Sequence, residues 1–169
     1  MNGPRMTDIK NILVLRPRAL GDVLMVTPVL RALHRQFAGV RIDVGVDDTV
    51  AAILDRNPHI THRWLFPRRR PRRWQDWLPI YMGIPRVGYQ MVIDLHGSAR
   101  TAMLTLFSGA RYRVGYRLRG RRYAYNLVIP RDTDRTGQRR MIYAARNNLE
   151  FVARCGVTGE PLEDTRLVY

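Results

Sequence analysis

The segment Leu20–Val23 places a single carboxylate, that of Asp22, in a turn that follows a short apolar run. The run itself, Ile12–Leu15, is unbroken, which is typical of a strand buried on both faces of a parallel sheet. Ligands of open α/β sheets bind beyond the carboxyl ends of the strands, where this turn lies, and Gly21 leaves room for one. A carboxylate there can accept a proton from a bound hydroxyl group. Because Asp is also a common helix N-cap, the turn predicts either a general base or a cap.

A second group of polar side chains, His96, Ser98 and Arg100, follows another apolar run, Met91–Leu95. Carboxyl ends of parallel strands meet at one edge of a sheet, so we expect this group beside the first turn. Asp94 and His96 could orient a hydroxyl group, and Arg100 could reach an anion from the following helix. The alternative is a helix cap by Ser98 and a solvated arginine.

Positive charge is concentrated in the middle of the chain. Of the 29 basic and 14 acidic side chains, residues 61–140 hold 18 and 4, which leaves the remainder nearly neutral. All but Lys10 are arginines, whose planar fork binds phosphates and carboxylates through two parallel hydrogen bonds. The first arginine cluster contains Arg68, Arg69, Arg70, Arg72 and Arg73. The second arginine cluster contains Arg111, Arg113, Arg117, Arg119, Arg121 and Arg122. They predict an anionic ligand, with a solvated loop as the alternative.

The sequence gives little support to a metal site, a disulfide or a nucleotide loop. The four histidines lack metal-ligand spacing, Cys155 is the one cysteine, and neither a Walker loop nor G-x-G-x-x-G is present. Apolar runs fall short of the ~20 residues that span a bilayer, and residues 1–22 lack the apolar segment of a signal peptide. We therefore expect no metal and no bound cofactor, and a reducing, cytoplasmic location.

Aromatic side chains are interleaved with the first arginine cluster, at Trp64, Trp74, Trp77 and Tyr81. Three interpretations remain open: packing against the domain's own flank, stacking on the bases of single-stranded nucleic acid, and contact with anionic lipid head groups. Packing is the commonest role of such residues. The other two both predict binding that weakens with salt.

Strand-like and helix-like patterns alternate along the chain, which predicts an α/β fold with a Rossmann-like, doubly wound parallel sheet. Pro28 inside the first helical pattern predicts a kink or a later start of that helix. Residues 66–90 are the least regular part. The predicted strands are Ile12–Leu15, Arg41–Val46, Met91–Leu95 and Val114–Tyr116, and the predicted helices are Asp48–Leu54, Ala99–Phe107 and Met141–Cys155 with Gly156 as the stop.

We assign residues 1–157 to one Rossmann-like domain of ordinary size. Residues 158–169, with a glycine, a proline and four charges, are typical of a linker that leads out of it.

Several longer segments share an order and spacing with one known family. They are ILVLR, ALGDVL and TPVLRAL at residues 12–16, 19–24 and 27–33, VIDLHGS at 92–98, and SGAR at 108–111. Shorter matches are Arg41–Asp43, Asn57–His59, Gly115–Tyr116 and Tyr125–Asn126. Across roughly residues 10–157 this pattern resembles glycosyltransferase family 9, the lipopolysaccharide heptosyltransferases.

The resemblance implies half of a GT-B enzyme, which has two Rossmann-like domains. The chain would be the N-terminal, acceptor-binding domain, and the nucleotide-sugar donor, ADP-heptose, would bind a C-terminal donor domain beyond Tyr169. Asp22 matches the catalytic base of an inverting displacement at the donor's anomeric carbon. The acceptor-binding positions implied by the resemblance are Gly21, Arg69, Arg70, Arg100, Arg117 and Arg146.

The partners implied are an anionic glycolipid or core oligosaccharide, the missing donor domain, and peripheral contact with the inner membrane surface. Without the donor domain we expect acceptor binding and no turnover. Arg16-Pro17-Arg18 departs from the small hydroxyl residues common in the family before the Gly-Asp turn, which bears on the acceptor's identity. The competing hypothesis is a non-enzymatic basic module that binds nucleic acid or another polyanion.

Overall fold

The computed structural model describes residues 9–68, 73–130, 144–157 and 166–167. Within them six strands form one sheet: β1 (Asn11–Leu15), β2 (Arg41–Asp47), β3 (His62–Phe66), β4 (Met91–Asp94), β5 (Tyr112–Tyr116) and β6 (Leu127–Ile129). Every neighbouring pair is parallel, in the spatial order β3-β2-β1-β4-β5-β6. This is the doubly wound Rossmann order, and the predicted fold class is confirmed.

Five α-helices accompany the sheet: α1 (Leu20–Leu24), α2 (Thr27–Gln36), α3 (Leu78–Val87), α4 (Ala99–Phe107) and α5 (Ala144–Ala153). Pro28 occupies the first turn of α2, where a missing N–H costs nothing, so the later start of this helix is confirmed. α4 has the predicted bounds, and the Ser98 side chain caps it by accepting the Thr101 N–H at 3.1 Å. The predicted helix at 48–54 is a shorter 3-10 helix, Ala51–Leu54.

Two apolar cores cover the two faces of the sheet. Ile12 and Val14 of β1 point toward α2 and α5, whereas Leu13 and Leu15 point toward α3 and α4. This alternation along β1 shows why the strand reads as an unbroken apolar run: both faces are buried. The two-sided burial holds the carboxyl edge of the sheet rigidly in place.

Three elements escape the sequence patterns. β3 carries polar residues at an edge of the sheet, β6 has three residues, and α3 contains two prolines. Pro79 lies in the first turn, where a missing N–H costs nothing, whereas Pro85 lies inside the helix and removes one of its backbone hydrogen bonds near the end. Gly88 then ends the helix with a φ of 71°.

The proposed domain boundary and the linker at 158–169 lie mostly outside the described residues. Of that segment the structure describes residues 166–167, and the carbonyl of Arg166 accepts a hydrogen bond from Arg31 of α2 at 3.0 Å. Met141 to Tyr143, predicted as the beginning of the last helix, also lie outside them. None of the helices in the described ranges has the length and apolar composition needed to cross a membrane.

Candidate functional site at the carboxyl edge of the sheet

Asp22 lies at the carboxyl edge of the sheet, inside the first turn of α1, and forms an ion pair with Arg16. The distance between Asp22 Oδ2 and Arg16 Nη2 is 2.8 Å. The N-cap of α1 is Ala19, and no side chain caps this helix, so the interpretation of Asp22 as an N-cap is wrong. The Asp22 side chain is 42% exposed, which leaves its carboxylate accessible to a ligand.

Arg16 connects the two loops that the sequence placed at this edge. Its side chain is 13% exposed and also donates a hydrogen bond from Nη1 to the carbonyl of Leu95, immediately after β4. The Nε of Arg16 is buried without a hydrogen-bond partner. One guanidinium therefore joins the Asp22 helix to the β4 loop across the point where the strand order reverses.

His96 lies in the β4 loop among several charged groups and is uncharged at neutral pH. Burial, together with the positive charges of Arg16, Arg18 and Arg121, lowers the pKa of His96 to about 4, and Asp22 opposes the shift. A neutral imidazole can donate one hydrogen bond and accept another. The edge thus presents a carboxylate and a neutral imidazole close together.

Asp94, the other predicted substrate contact, is fully buried at the end of β4 and holds the loop instead. Its carboxylate accepts the N–H groups of His96 and Gly97 at 2.9 and 2.8 Å, and the Tyr125 hydroxyl at 2.6 Å. Burial raises the pKa of Tyr125, and the adjacent carboxylate raises it further, so the phenol remains a donor. The expectation that Asp94 orients a substrate hydroxyl is wrong for this reason.

Two glycines of the matched motifs make this arrangement possible. Gly97 has a φ of 71°, a backbone conformation that residues with a side chain rarely adopt. A Cβ at this position would lie 2.6 Å from the side chain of Leu118. A Cβ at Gly115 would lie 2.4 Å from the ring of Tyr125, which crosses β5 to reach Asp94. The glycines permit close packing that positions His96 at the surface of the edge.

A cleft of about 430 Å³, including space open to solvent, lies beside this edge. Arg68 at its rim pairs with Asp47 at the end of β2, with Nη1 and Oδ2 3.3 Å apart. Burial raises the pKa of Asp47, and Arg68 opposes the shift. The lining residues are Pro17, Arg18, Asp47, Phe66, Pro67, Arg68, Trp77, His96, Ser98, Arg100 and Thr101. Three arginines in one cleft can hold a multiply charged anion.

Arg100 is exposed and stacks over Trp77, with its Cζ 4.2 Å from the ring centroid. Trp77 packs against Phe66 in the core, whereas Trp74 is 72% exposed. The packing interpretation of the tryptophans is therefore confirmed for Trp77 and wrong for Trp74. The stacking holds the guanidinium of Arg100 at the wall of the cleft.

The remaining predicted ligand contacts are dispersed. Gly21 is exposed, with open space where a Cβ would lie, and Arg117 is exposed directly after β5 at the same edge of the sheet. Arg146 lies on α5 and pairs with Glu150 of the same helix, with Nε and Oε1 3.1 Å apart. Arg69 and Arg70 lie outside the described residues.

Sequence reasoning missed Arg18 and Asp47 as members of the cleft, and it named Arg68 only as part of the first arginine cluster. The signal was available, since each follows or ends a strand of a parallel sheet whose carboxyl ends converge. It was incomplete because β3 was not recognised as a strand. In the described part of the chain no group of three or more His, Cys, Asp or Glu side chains could hold a metal ion.

Comparison with known proteins gives a relative in sequence and several in structure. The lipopolysaccharide heptosyltransferase 1 of Pseudomonas aeruginosa is 29% identical over 105 residues, which is 58% of this chain and 30% of that protein. No protein-family model matches the chain.

The glycosyl transferase family 9 structure from Veillonella parvula superposes with a TM-score of 0.73 at 22% identity, covering 95% of this chain and 44% of that one. The resemblance to glycosyltransferase family 9 is confirmed. The Escherichia coli heptosyltransferase WaaC with ADP has a TM-score of 0.71 at 19% identity, and the match covers 93% of this chain and 50% of that one. The E. coli ADP-heptose lps heptosyltransferase II has a TM-score of 0.68 at 22% identity, and the match covers 94% of this chain and 46% of that one.

The chain spans about half the length of these family 9 and heptosyltransferase structures. Its sheet is that of one half of a GT-B glycosyltransferase, as expected from the resemblance. The sequence relative and the named structural neighbours are glycosyltransferases.

Proposed function

We propose that the chain is the N-terminal, acceptor-binding half of an inverting glycosyltransferase. It would help to transfer a heptose or a related sugar from a nucleotide-sugar to an anionic core oligosaccharide or glycolipid. The donor, of the ADP-heptose type, would bind the other Rossmann-like domain of such an enzyme. The chain alone would then bind acceptor without turning it over.

The observation that carries this proposal is the pairing of one accessible carboxylate with an arginine-lined cleft at the switch point of the sheet. Asp22 is held by Arg16, and Arg18, Arg68 and Arg100 line the neighbouring cleft. Phosphates and carboxylates of an acceptor fit such a group of guanidinium side chains. A sugar held there would present a hydroxyl group toward the edge where Asp22 lies.

In this mechanism an acceptor hydroxyl loses its proton to an oxygen of Asp22 as its own oxygen attacks the donor's anomeric carbon. The bond from that carbon to the nucleotide diphosphate breaks on the opposite face, and the configuration inverts. Arg16 keeps the Asp22 carboxylate oriented because it is anchored on Leu95 at the same time. His96, neutral and adjacent, can accept or donate a hydrogen bond to the same acceptor.

A glycolipid acceptor would be met at the inner membrane surface from the cytoplasmic side. This location follows from the proposed substrate, since the chain would need to reach sugars attached to lipid. The donor domain would then close over the carboxyl edge of the sheet.

The proposal is tested by titrating the chain with an inner-core oligosaccharide that carries phosphates and carboxylates. Arg100→Gln should weaken binding about 10- to 100-fold, because a hydrogen bond to a charged group is lost from the cleft. Arg56→Gln, an exposed arginine away from the cleft, is the matched control. Equal affinity of both variants and the unchanged chain would refute the assigned cleft.

The alternative, a polyanion-binding module, is favoured by the concentration of 18 basic against 4 acidic residues in positions 61–140. It predicts tight binding of single-stranded oligonucleotides, with affinity that falls steeply with salt and ignores sugar stereochemistry. Parallel titrations with an oligonucleotide and the oligosaccharide separate the two. Nanomolar oligonucleotide binding with no oligosaccharide binding would establish the alternative.

A further inference from the structure

The outer sides of α3 and α4 expose an apolar surface that the sheet does not use. Trp74, before α3, is 72% exposed, and Phe107, at the end of α4, is 52% exposed. Leu78, Met82 and Met103 are each more than 40% exposed. We call these five side chains the apolar patch. Monomeric proteins rarely leave large apolar side chains together in water without a partner.

The patch is continuous. Trp74 and Leu78 line one groove with Tyr81, and the Tyr81 and Phe107 rings lie 6.2 Å apart in an edge-to-face arrangement. Met82 follows Leu78 by one helical turn, and Phe107 follows Met103 in the same way. The two helices therefore present adjoining apolar stripes.

The rim of the patch is basic. Arg73 directly precedes Trp74, Arg86 follows Met82 by one helical turn, and Arg100 lines the groove. All three arginines are exposed. Within residues 73–87 and 99–107 the one acidic residue is Asp76, whose carboxylate accepts the backbone N–H of Arg73 at 3.0 Å. An apolar centre with a positive rim matches the boundary between acyl chains and anionic head groups.

We propose that the apolar patch and its arginine rim dock the protein on an anionic lipid surface. The Trp74 and Phe107 rings would enter the interface, where amphipathic aromatic side chains are favoured. Arg73 and Arg86 would lie at the level of the head-group phosphates. This inference deepens the proposed function, because its use rests on a membrane-borne acceptor.

The position of the patch relative to the cleft supports this docking. Trp77 and Arg100 line both the cleft and the groove of the patch. A lipid surface seated on the patch would therefore lie beside the mouth of the cleft. A sugar attached to lipid could enter the cleft while its acyl chains stay in the bilayer.

Two other occupants fit less well. A second copy of the chain would bring two arginine rims together, and like charges at close range repel. Single-stranded nucleic acid stacks on aromatic rings, whereas Leu78, Met82 and Met103 make up most of the patch.

The test is flotation of the full chain with vesicles that contain no glycolipid. We expect binding to vesicles of phosphatidylglycerol and phosphatidylcholine in equal parts, weakening as salt rises, and little binding to phosphatidylcholine alone. The double substitution Trp74→Ser with Phe107→Ser should lower partitioning at least about tenfold. Arg86→Gln should lower it about fivefold on anionic vesicles.

The matched controls are Leu65→Ser and Arg56→Gln, which should bind as the unchanged chain does. Leu65 is 50% exposed on β3, and its neighbour Phe66 points into the core beneath α3 and α4, so Leu65 faces the other side of the sheet. All substituted residues are exposed, so we expect the midpoint of urea unfolding to stay unchanged in every variant. Measuring this midpoint verifies that each variant is folded.

Failure of the unchanged chain to float with anionic vesicles would overturn the docking surface, as would equal binding of the double variant. The proposal would also be overturned if the unchanged chain formed a concentration-dependent dimer, or bound oligonucleotides, and the double variant did not. The result is separable from the proposed function, because the vesicles offer no acceptor. If the unchanged chain binds the vesicles but does not bind the soluble oligosaccharide, the acceptor site is refuted and the docking surface is not.

Discussion

Arg16 and Asp22 form a 2.8 Å ion pair that spans the loop between β1 and α1. The same guanidinium donates to the carbonyl of Leu95 in the loop after β4. Two loops that are far apart in sequence thus meet through one side chain. The arrangement presents the Asp22 carboxylate to solvent in a defined direction, which is what an acceptor hydroxyl would require of a base.

Asp22→Asn should abolish sugar transfer in a chain extended by a donor domain. The expected loss in kcat is about 100- to 10,000-fold, because an amide cannot accept the proton. Acceptor affinity should change little, since the amide retains nearly the same shape. Asp55→Asn, in an exposed ion pair with Arg63, is the control. Full activity of the Asp22 variant would end its assignment as the base.

Arg16→Gln should lower the free energy of unfolding by about 1–3 kcal/mol, because it removes the donor to the Leu95 carbonyl and the partner of Asp22. Urea unfolding measures the change. For comparison, Arg146→Gln removes an exposed i,i+4 pair with Glu150 and should cost less than about 0.5 kcal/mol. A similar cost for the two variants would show that Arg16 does not join the loops.

Tyr125→Phe should destabilise the protein by about 1–3 kcal/mol, because the buried Asp94 carboxylate loses a donor at 2.6 Å. The control is Tyr123→Phe, which removes a hydroxyl from a 59% exposed ring and should be neutral. Thermal and urea unfolding compare them. If Asp94 holds the β4 loop, hydrogen exchange of the His96 and Gly97 amides should also speed up in the Tyr125 variant. Unchanged exchange would contradict that role.

Stability should fall as the pH is lowered from about 6.5 toward 4, in part because of His96. The pKa of His96 is lowered to about 4 by burial and by nearby arginines, so the unfolded chain binds the proton first. The stability contribution is present above the unfolded pKa and is lost through this window. After allowance for solvent screening it amounts to about 1–2 kcal/mol.

Urea unfolding between pH 7 and pH 4.5 tests this expectation. His96→Gln should flatten the pH dependence of the free energy of unfolding. Identical pH profiles for the His96 variant and the unchanged chain would disprove the assignment.

The central strands and α4 were predictable from sequence. Ile12–Leu15 and Met91–Asp94 are buried on both faces, so their apolar runs are unbroken, and Ser98 and Gly109 mark the ends of α4. β3, β6 and α3 were missed. Their formation depends on pairing with β2 and β5 and on packing against Phe66 and Leu104, which local patterns do not contain.

The amino-acid sequence by itself determined the class of fold and the resemblance to family 9, because the apolar period and the glycine positions can be read from local segments. Its clustered arginines also predict an anionic ligand. Tertiary structure decided the roles of individual polar groups. Asp22 became an accessible partner of Arg16 and Asp94 a buried anchor, although both follow apolar runs. That difference arises from neighbours distant along the chain, Leu95 for Arg16 and Tyr125 for Asp94, which meet when the parallel strands bring their carboxyl ends together.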